Sequence, residues 1–151
     1  TLRCLLTEGH ARGHVSFVEE GSGAVFAGDL VAQGSTIVID PPEGDMGVYL
    51  ESLRRLRDLP AGTLYPAHGF PVPDGVSLLD RYLAHREARM AAIESALGAG
   101  PLSLAAVVER VYSDTPRFLH PVAERSALAS LLELQERGRA RPAGDSWEAV
   151  G

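Results

Sequence analysis

The spacing of the apolar residues changes along this chain, and that change limits the fold more than any other feature. Short apolar runs between glycine-marked turns fill most of the first 75 residues and predict β-strands. The strands are predicted at 2–7, 15–19, 24–27 and 63–66, with one more extended segment over Ser35 to Ile39. From Gly44 to Leu59 the apolar residues recur every three or four positions, which predicts an amphipathic helix that stops before Pro60. Strands that alternate with helices favour an α/β sandwich.

A single Gly/Pro-rich break divides the remaining residues. Asp74 or Ser77 is expected to cap a long helix from Leu78 to Leu97, and Gly98-Ala99-Gly100-Pro101 ends it. We therefore predict two domains, residues 1–100 and residues 101–151.

The predicted second domain has the element order of a winged helix. A helix from Leu104 to Tyr112 capped by Ser103, a helix from Pro121 to Arg137, and a two-stranded turn around Gly144-Asp145 follow one another. Trp147 is expected to anchor the wing against the small helical core.

Composition restricts the partners and the compartment. A net charge of −6 argues against a strongly electrostatic binder of nucleic acid or anionic membrane. No apolar run approaches 18 residues, so no membrane partner is expected. Cys4 is the single cysteine, which fits a reducing, cytoplasmic compartment, and its apolar strand predicts a core position. All 14 basic residues are arginine, a bias typical of GC-rich bacterial genomes.

Three side chains suited to metal binding lie where apolar runs meet glycine-marked turns: His14, Asp29 and His68. Imidazole offers a neutral nitrogen ligand, and a carboxylate has two oxygens with which to bridge two ions. Each residue taken singly is more typical of a turn or a cap. All three together, each at the end of a strand, predict a metal site.

The residues around these three side chains resemble the metallo-β-lactamase superfamily. Thr7-Glu8-Gly9-His10-Ala11-Arg12-Gly13-His14 is similar to its motif Thr-Pro-Gly-His-Thr-x-Gly-His, with departures at Glu8 and Ala11. Gly28-Asp29-Leu30 and Pro66-Ala67-His68-Gly69 are similar to its two later ligand motifs. The family's first motif, His-x-His-x-Asp-His, has no counterpart here, and the chain begins with Thr1 inside a predicted strand. The resemblance therefore implies the C-terminal half of an αββα sandwich, followed by a small winged-helix domain.

The resemblance also implies a chemistry and a role for each residue. His14 and His68 would each bind one of two zinc ions, with iron or manganese as alternatives, and Asp29 would bridge them as the catalytic carboxylate. His10 would support the ligands without touching metal. A metal-bound hydroxide would cleave a phosphodiester or a thioester or other ester. The chain by itself is expected to bind metal weakly and to be inactive, because the other ligands are missing.

Further segments resemble the lactamase-beta-like branch of the superfamily, whose animal members are single-strand-specific endoribonucleases. The substrate implied is single-stranded RNA or a small molecule, and a homodimer is one way to cover the open face of half a sandwich. The alternative is a non-catalytic winged-helix module for nucleic-acid binding or interaction. Residues 102–151 carry a net charge of −1, which does not favour that alternative, although Arg137, Arg139 and Arg141 are candidates for phosphate contacts.

Two groups of residues remain open between function and structure. His85, Arg86 and Arg89 are candidates to contact an anionic substrate, but their helical spacing favours a solvated, salt-bridged face. His120 precedes a proline and is expected to start a helix rather than to bind metal.

Overall fold

The computed structural model describes residues 1–59 and 62–150, and these residues form two compact units. The first unit comprises Thr1–Ile37 and Pro42–His85, and the second comprises Val38–Pro41 and the residues from Arg86 onward. The predicted proline stop of the first helix, Pro60, lies outside the described residues. The domain boundary at residue 100 stays a prediction.

A four-stranded sheet is the centre of the first unit. Its strands are β1 (Leu2–Leu6), β2 (Val15–Glu19), β3 (Val25–Ala32) and β4 (Leu64–His68), in the spatial order β1-β2-β3-β4. The first three strands are antiparallel neighbours, whereas β3 and β4 are parallel. The start of β2, the second half of β3 and the end of β4 therefore meet at one edge of the sheet.

Two helices are bonded to β3 through tyrosine hydroxyls. Helix α1 (Met46–Arg57) begins where the Asp45 side chain accepts the Val48 N–H at 2.9 Å. The Tyr49 hydroxyl of α1 donates to the Leu30 carbonyl at 2.7 Å. Helix α2 (Gly75–Leu97) starts three residues earlier than predicted, because Asp74 caps it by accepting the Ser77 N–H at 3.0 Å. Tyr82 of α2 bonds to Ala32 at the end of β3.

The two faces of the sheet differ in exposure. Val18, Val25 and Leu64 point to the buried face. Their neighbours on the other face form a row across the four strands, because Cys4 is opposite Phe17, Phe17 opposite Phe26, and Phe26 opposite Tyr65. We call this row, together with Leu2 and Leu6, the open face; its large side chains are 38 to 58 % exposed.

The open face corrects the prediction for Cys4, which is exposed and not in the core. Its strand is apolar, but β1 is an edge strand that pairs only with β2 in the described part of the chain. An apolar strand becomes core only where something covers it, and local sequence does not contain that information.

The second unit has the predicted winged-helix order. Helix α3 (Leu104–Val111) is capped by Ser103, a short 3₁₀ turn (Arg117–Leu119) follows, and helix α4 (His120–Glu136) leads to the hairpin β5 (Ala140–Ala143) and β6 (Ser146–Ala149). Val108, Tyr112 and Ala127 form a buried cluster between the two helices. Trp147 exchanges two backbone hydrogen bonds with Leu102, at 2.8 and 2.9 Å, and its anchoring of the wing against the helical core stays a prediction.

The segment predicted as extended over Ser35 to Ile39 has no assigned strand. Bends occupy 33–35, and the following residues bond to α4 instead of to a sheet. The Ile39 N–H donates to the Ser126 hydroxyl at 3.2 Å, and Asp40 pairs with Arg125 at 2.6 Å. A β-branched run favours extended backbone, but strand pairing needs a free neighbouring edge.

Candidate metal centre

The ring of His14, which directly precedes β2, is fixed at both nitrogens. Its Nδ1 lies 2.9 Å from the Thr7 carbonyl oxygen and 3.0 Å from the Thr7 hydroxyl. A carbonyl oxygen only accepts, so Nδ1 carries the proton and Nε2 presents a lone pair. Nε2 accepts the Asp29 N–H at 3.1 Å. A backbone carbonyl on one nitrogen is the arrangement that orients histidine as a metal ligand through the other.

The Thr7 side chain, which contacts the His14 ring, is itself held by the buried hydroxyl of Ser16. Thr7 and Ser16 are fully buried, and their side-chain oxygens lie 2.8 Å apart. A backbone hydrogen bond also joins the two ends of this loop, since the Thr7 N–H donates to the His14 carbonyl at 2.8 Å. Sequence reasoning missed these supports, because hydroxyls in a strand carry no pattern that distinguishes them from ordinary strand residues.

Gly28 is close enough to His14 that no side chain would fit between them. A Cβ built on Gly28 would lie 2.7 Å from His14 Nε2, and the backbone at Gly28 has φ +56°. Both the contact and the left-handed conformation require glycine. The glycine of the Gly-Asp motif thus leaves the space in which Nε2 meets Asp29.

Asp29 and His68 are brought together by the parallel pairing of β3 and β4. His68 Nε2 lies 3.3 Å from Asp29 Oδ1, and the two side chains are 75 % and 42 % exposed. The prediction that Asp29 ends a strand is wrong, because β3 continues to Ala32. The strand is irregular there, with register shifts on both sides of Gly28. Such an irregularity changes the direction in which a side chain such as that of Asp29 points, without ending the strand.

Asp29 therefore contacts both histidines, His14 through its backbone N–H and His68 through its carboxylate. Among the described residues, however, no three His, Cys, Asp or Glu side chains converge closely enough to hold one ion. Two imidazoles and a carboxylate are a donor set that zinc, iron and manganese accept. The ligand assignment stays a prediction, and the donor chemistry and the space left by Gly28 fit it.

The motif loop between β1 and β2 is attached to α1. The Glu8 carboxylate accepts the Gly13 N–H at 2.6 Å, and the Asp45 N–H donates to the Gly9 carbonyl at 2.8 Å. Gly9 has φ +114°, and a Cβ there would lie 2.2 Å from the Tyr49 backbone nitrogen. His10, in the same loop, is half-buried, and its ring meets that of His14 edge-on at 6.4 Å between centroids. The supporting role of His10 stays a prediction.

Arg86 and Arg89 of α2 have structural surroundings and are not free to contact substrate. Arg89 forms two 2.7 Å hydrogen bonds with Asp114 and stacks over the Tyr112 ring at 4.7 Å. That ion pair confirms the predicted salt-bridged face for Arg89. Arg86 is only 4 % exposed, so the prediction of a solvated face is wrong there. His120 begins α4 as predicted, and its Nε2 donates to the Thr115 carbonyl at 3.2 Å.

The arginines near the wing are all paired with carboxylates. Arg137 bonds to Glu133 and Glu87, Arg139 to Glu94, and Arg141 to Glu148. Paired guanidinium groups attract phosphates weakly, because the neighbouring carboxylate cancels their charge.

The fold is that of a mixed α/β protein with an appended winged helix. Residues 5–68 match the family model of the metallo-beta-lactamase superfamily, and residues 103–147 match that of the beta-lactamase associated winged helix domain. This chain belongs to the metallo-β-lactamase superfamily, and its winged-helix residues follow the metallo-β-lactamase residues along the sequence.

Individual relatives agree with that assignment. Lactamase-like protein nscB of Arthroderma gypseum is 32 % identical over 148 residues, which cover 89 % of this chain and 45 % of the relative. Lactamase-like protein adaB of Aspergillus niger is 37 % identical over 97 residues, 64 % of this chain and 29 % of the relative. The Caenorhabditis elegans Beta-lactamase-like protein 2 homolog is 32 % identical, with 77 % and 38 % covered. The chain thus spans less than half the length of these curated relatives.

Two solved structures are also similar to this chain over nearly all of its length, and each is about twice as long. A metallo-beta-lactamase family protein from Thermus thermophilus matches with a TM-score of 0.85 and 28 % identity, covering 99 % of this chain and 49 % of that one. A beta-lactamase domain protein from Burkholderia ambifaria matches with a TM-score of 0.85 and 25 % identity, with 99 % and 48 % covered. Since the relatives include fungal, nematode and bacterial proteins, the bacterial origin stays a prediction. Within residues 1–59 and 62–150, no helix has both the length and the apolar character needed to cross a membrane.

Proposed function

We propose that this chain forms the C-terminal half of a metal-dependent hydrolase, with His14, Asp29 and His68 as its metal ligands. The observation that carries the proposal is the orientation of His14, whose Nδ1 proton is held by a carbonyl while its Nε2 faces Asp29. His14 Nε2 accepts the Asp29 backbone N–H, and His68 Nε2 lies 3.3 Å from the Asp29 carboxylate. Zinc is the first candidate, with iron or manganese as alternatives.

The ligands are divided between two ions in this proposal. His14 would belong to one ion and His68 to the other, and Asp29 would contact both through its two oxygens. Catalytic zinc usually has three protein ligands, so further ligands are required for each ion. The chain spans about half the length of its relatives, and the remaining ligands are proposed to come from the rest of the whole protein. The 151-residue chain alone is then expected to bind metal weakly and to be inactive.

Each residue has a distinct part in the chemistry. The metal ions, when bound, would lower the pKa of water enough to supply a nucleophile near neutral pH. The Thr7 carbonyl keeps His14 in the neutral tautomer that a ligand needs, and Gly28 keeps the space beside it open. Asp29 adds negative charge that stabilises bound cations. The reaction class is hydrolysis of a phosphodiester or of a thioester or other ester.

Metal content is the direct test. Protein expressed from its complete reading frame should contain close to two transition-metal ions per chain by mass spectrometry. Asp29→Asn, which keeps the shape but removes the charge, should reduce both metal content and hydrolysis. The matched control is Asp145→Asn in the hairpin turn, which should change neither. Metal near zero that reconstitution does not restore, or full activity in Asp29→Asn, would contradict the proposal.

The winged-helix alternative receives no comparable support. The three arginines that motivated it are occupied by glutamates, and the residues from 102 to 151 are slightly acidic.

A further inference from the structure

A cavity of about 390 Å³ lies beside the candidate ligands, between α2 and the segment that follows β3. Ala32 and Leu78 contribute its apolar lining, and Ser35, Thr36, Arg81 and His85 contribute polar groups. This volume lies within the range of small-molecule sites, which combine apolar walls with a few polar groups.

The charge of the cavity is opposite to that of the chain. The chain has a net charge of −6, yet no carboxylate lines the cavity. Arg81 is exposed and forms no ion pair with a carboxylate among the described residues, although the pKa of Asp74, lowered mainly by hydrogen bonds from Ser77, is lowered further by the charge of Arg81. The adjacent carboxylate, Asp80, instead lies 3.8 Å from Arg57. The hydroxyls of Ser35 and Thr36 likewise have no hydrogen-bond partner in the described part of the chain. An arginine fork beside two hydroxyls is a donor set for carboxylate or phosphate oxygens.

Tyr82 fixes the cavity wall in place. Its side chain is buried, and its hydroxyl accepts the Ala32 N–H at 2.9 Å and lies 2.6 Å from the Ser35 carbonyl oxygen. One phenol therefore holds the segment of Ser35 against α2. A wall that is fixed before the ligand arrives loses less entropy on binding.

The cavity is connected to the candidate metal ligands through the sheet. Ala32 is the register partner of His68, and the Gln33 N–H donates to the His68 carbonyl at 3.2 Å. Asp29 lies three residues before Ala32 on the same strand, a separation of about 10 Å. A substrate held in the cavity by one end would have to span this distance to reach the metal ligands.

We propose that this cavity binds an anionic group, a carboxylate or phosphate, of a small-molecule ester substrate, with Arg81 as the residue that recognises it. The inference rests on the proposed hydrolase function and narrows its substrate class. A nucleic-acid strand fits less well, because it needs several cationic contacts along its backbone. A single arginine is found among the described residues that line the cavity, and the arginines near the wing are paired with glutamates.

Binding to the metal-free 151-residue chain tests the cavity separately from catalysis. Inorganic phosphate and acetate are titrated in the presence of a chelator and followed by amide NMR shifts. Shifts are expected at 32–36 and 78–85, and Arg81→Gln should weaken the binding about tenfold, as loss of a charge-assisted hydrogen bond does. Arg110→Gln, on an exposed position of α3, makes the same charge change and should leave the affinity unaltered. A stronger response to one of the two anions identifies the group.

Two results would overturn the proposal. The first is that Arg81→Gln and Arg110→Gln weaken anion binding equally, or that the anions shift the amide signals of neither residues 32–36 nor residues 78–85. The other is a single-stranded RNA decamer that binds more tightly than phosphate and is unaffected by Arg81→Gln. Failure of the hydrolase proposal is a different result, since metal-free anion binding would then persist while Asp29→Asn changes no metal content.

Discussion

Replacing Gly28 with alanine tests whether Gly28 is needed to leave room for the His14 ring. The cost of that clash must be distinguished from the cost that any alanine pays in a left-handed backbone. At φ +56° the new residue costs about 1–2 kcal/mol for its left-handed backbone alone. The added Cβ would also lie 2.7 Å from His14 Nε2, well inside normal contact. The Thr7 oxygen is already 2.9 Å from the other ring nitrogen, so the ring must swing out of place.

The loss of the ring's hydrogen bonds adds about 1–3 kcal/mol, because it leaves partly buried groups unpaired. We therefore expect Gly28→Ala to lower the free energy of unfolding by about 2–5 kcal/mol in urea titrations. Gly138→Ala is the matched control. Gly138 follows α4 at φ +68° with nothing within 4 Å of its built Cβ, so only the backbone cost of about 1–2 kcal/mol applies.

Metal affinity supplies the second readout. In protein from the complete reading frame, Gly28→Ala should weaken metal binding about 10- to 100-fold, as other changes in residues that orient ligands do. Gly138→Ala should leave it unchanged. Equal destabilisation by the two variants, together with wild-type metal affinity in Gly28→Ala, would refute the reasoning about how His14 is held.

Three other predictions concern the Glu19 carboxylate, the Ser103 cap and the open face. The pKa of Glu19 is lowered from 4.5 to about 2, first by its hydrogen bond from the Ser22 hydroxyl and then by turn N–H groups. Because the folded pKa is the lower one, this contribution to stability is present above pH 4.5 and is lost as the pH falls towards 2; Glu19→Gln should flatten unfolding curves in that window, and an unchanged pH dependence would contradict it. Ser103→Ala removes the N-cap of α3 and should cost about 1 kcal/mol in urea unfolding, whereas no change would mean that the cap is dispensable. The isolated chain should self-associate through its open face, and Phe26→Glu should shift it towards monomer in sedimentation; a wild-type monomer would show that the face needs no cover.

The spacing of apolar residues and the positions of capping and turn residues predicted most of the local structure. The cap at Ser103 and the turn at Gly144-Asp145 predicted the start of α3 and the β5–β6 hairpin, and Asp74 was one of two caps predicted for α2, which starts three residues before the predicted Leu78. These signals work because helix capping and tight turns depend on a few adjacent residues and their own backbone groups.

The motif resemblance identified the family and named the residues that the structure brings together at one sheet edge. It did not reveal that Thr7 orients His14, or that Asp29 lies inside β3. Thr7 and His14 are seven residues apart, and the irregularity at Gly28 is a register shift in the pairing of β3 with β4, a strand that lies far along the chain.

Burial and charge pairing were decided by the tertiary structure. The sequence by itself determined the elements, their order and the candidate ligands. It could not place Cys4 on an open face, bury Arg86, pair the wing arginines with glutamates, or place Arg81 beside a cavity. Each of those outcomes depends on side chains that are distant along the chain, and the free energy of an apolar or charged group depends on what the fold places around it.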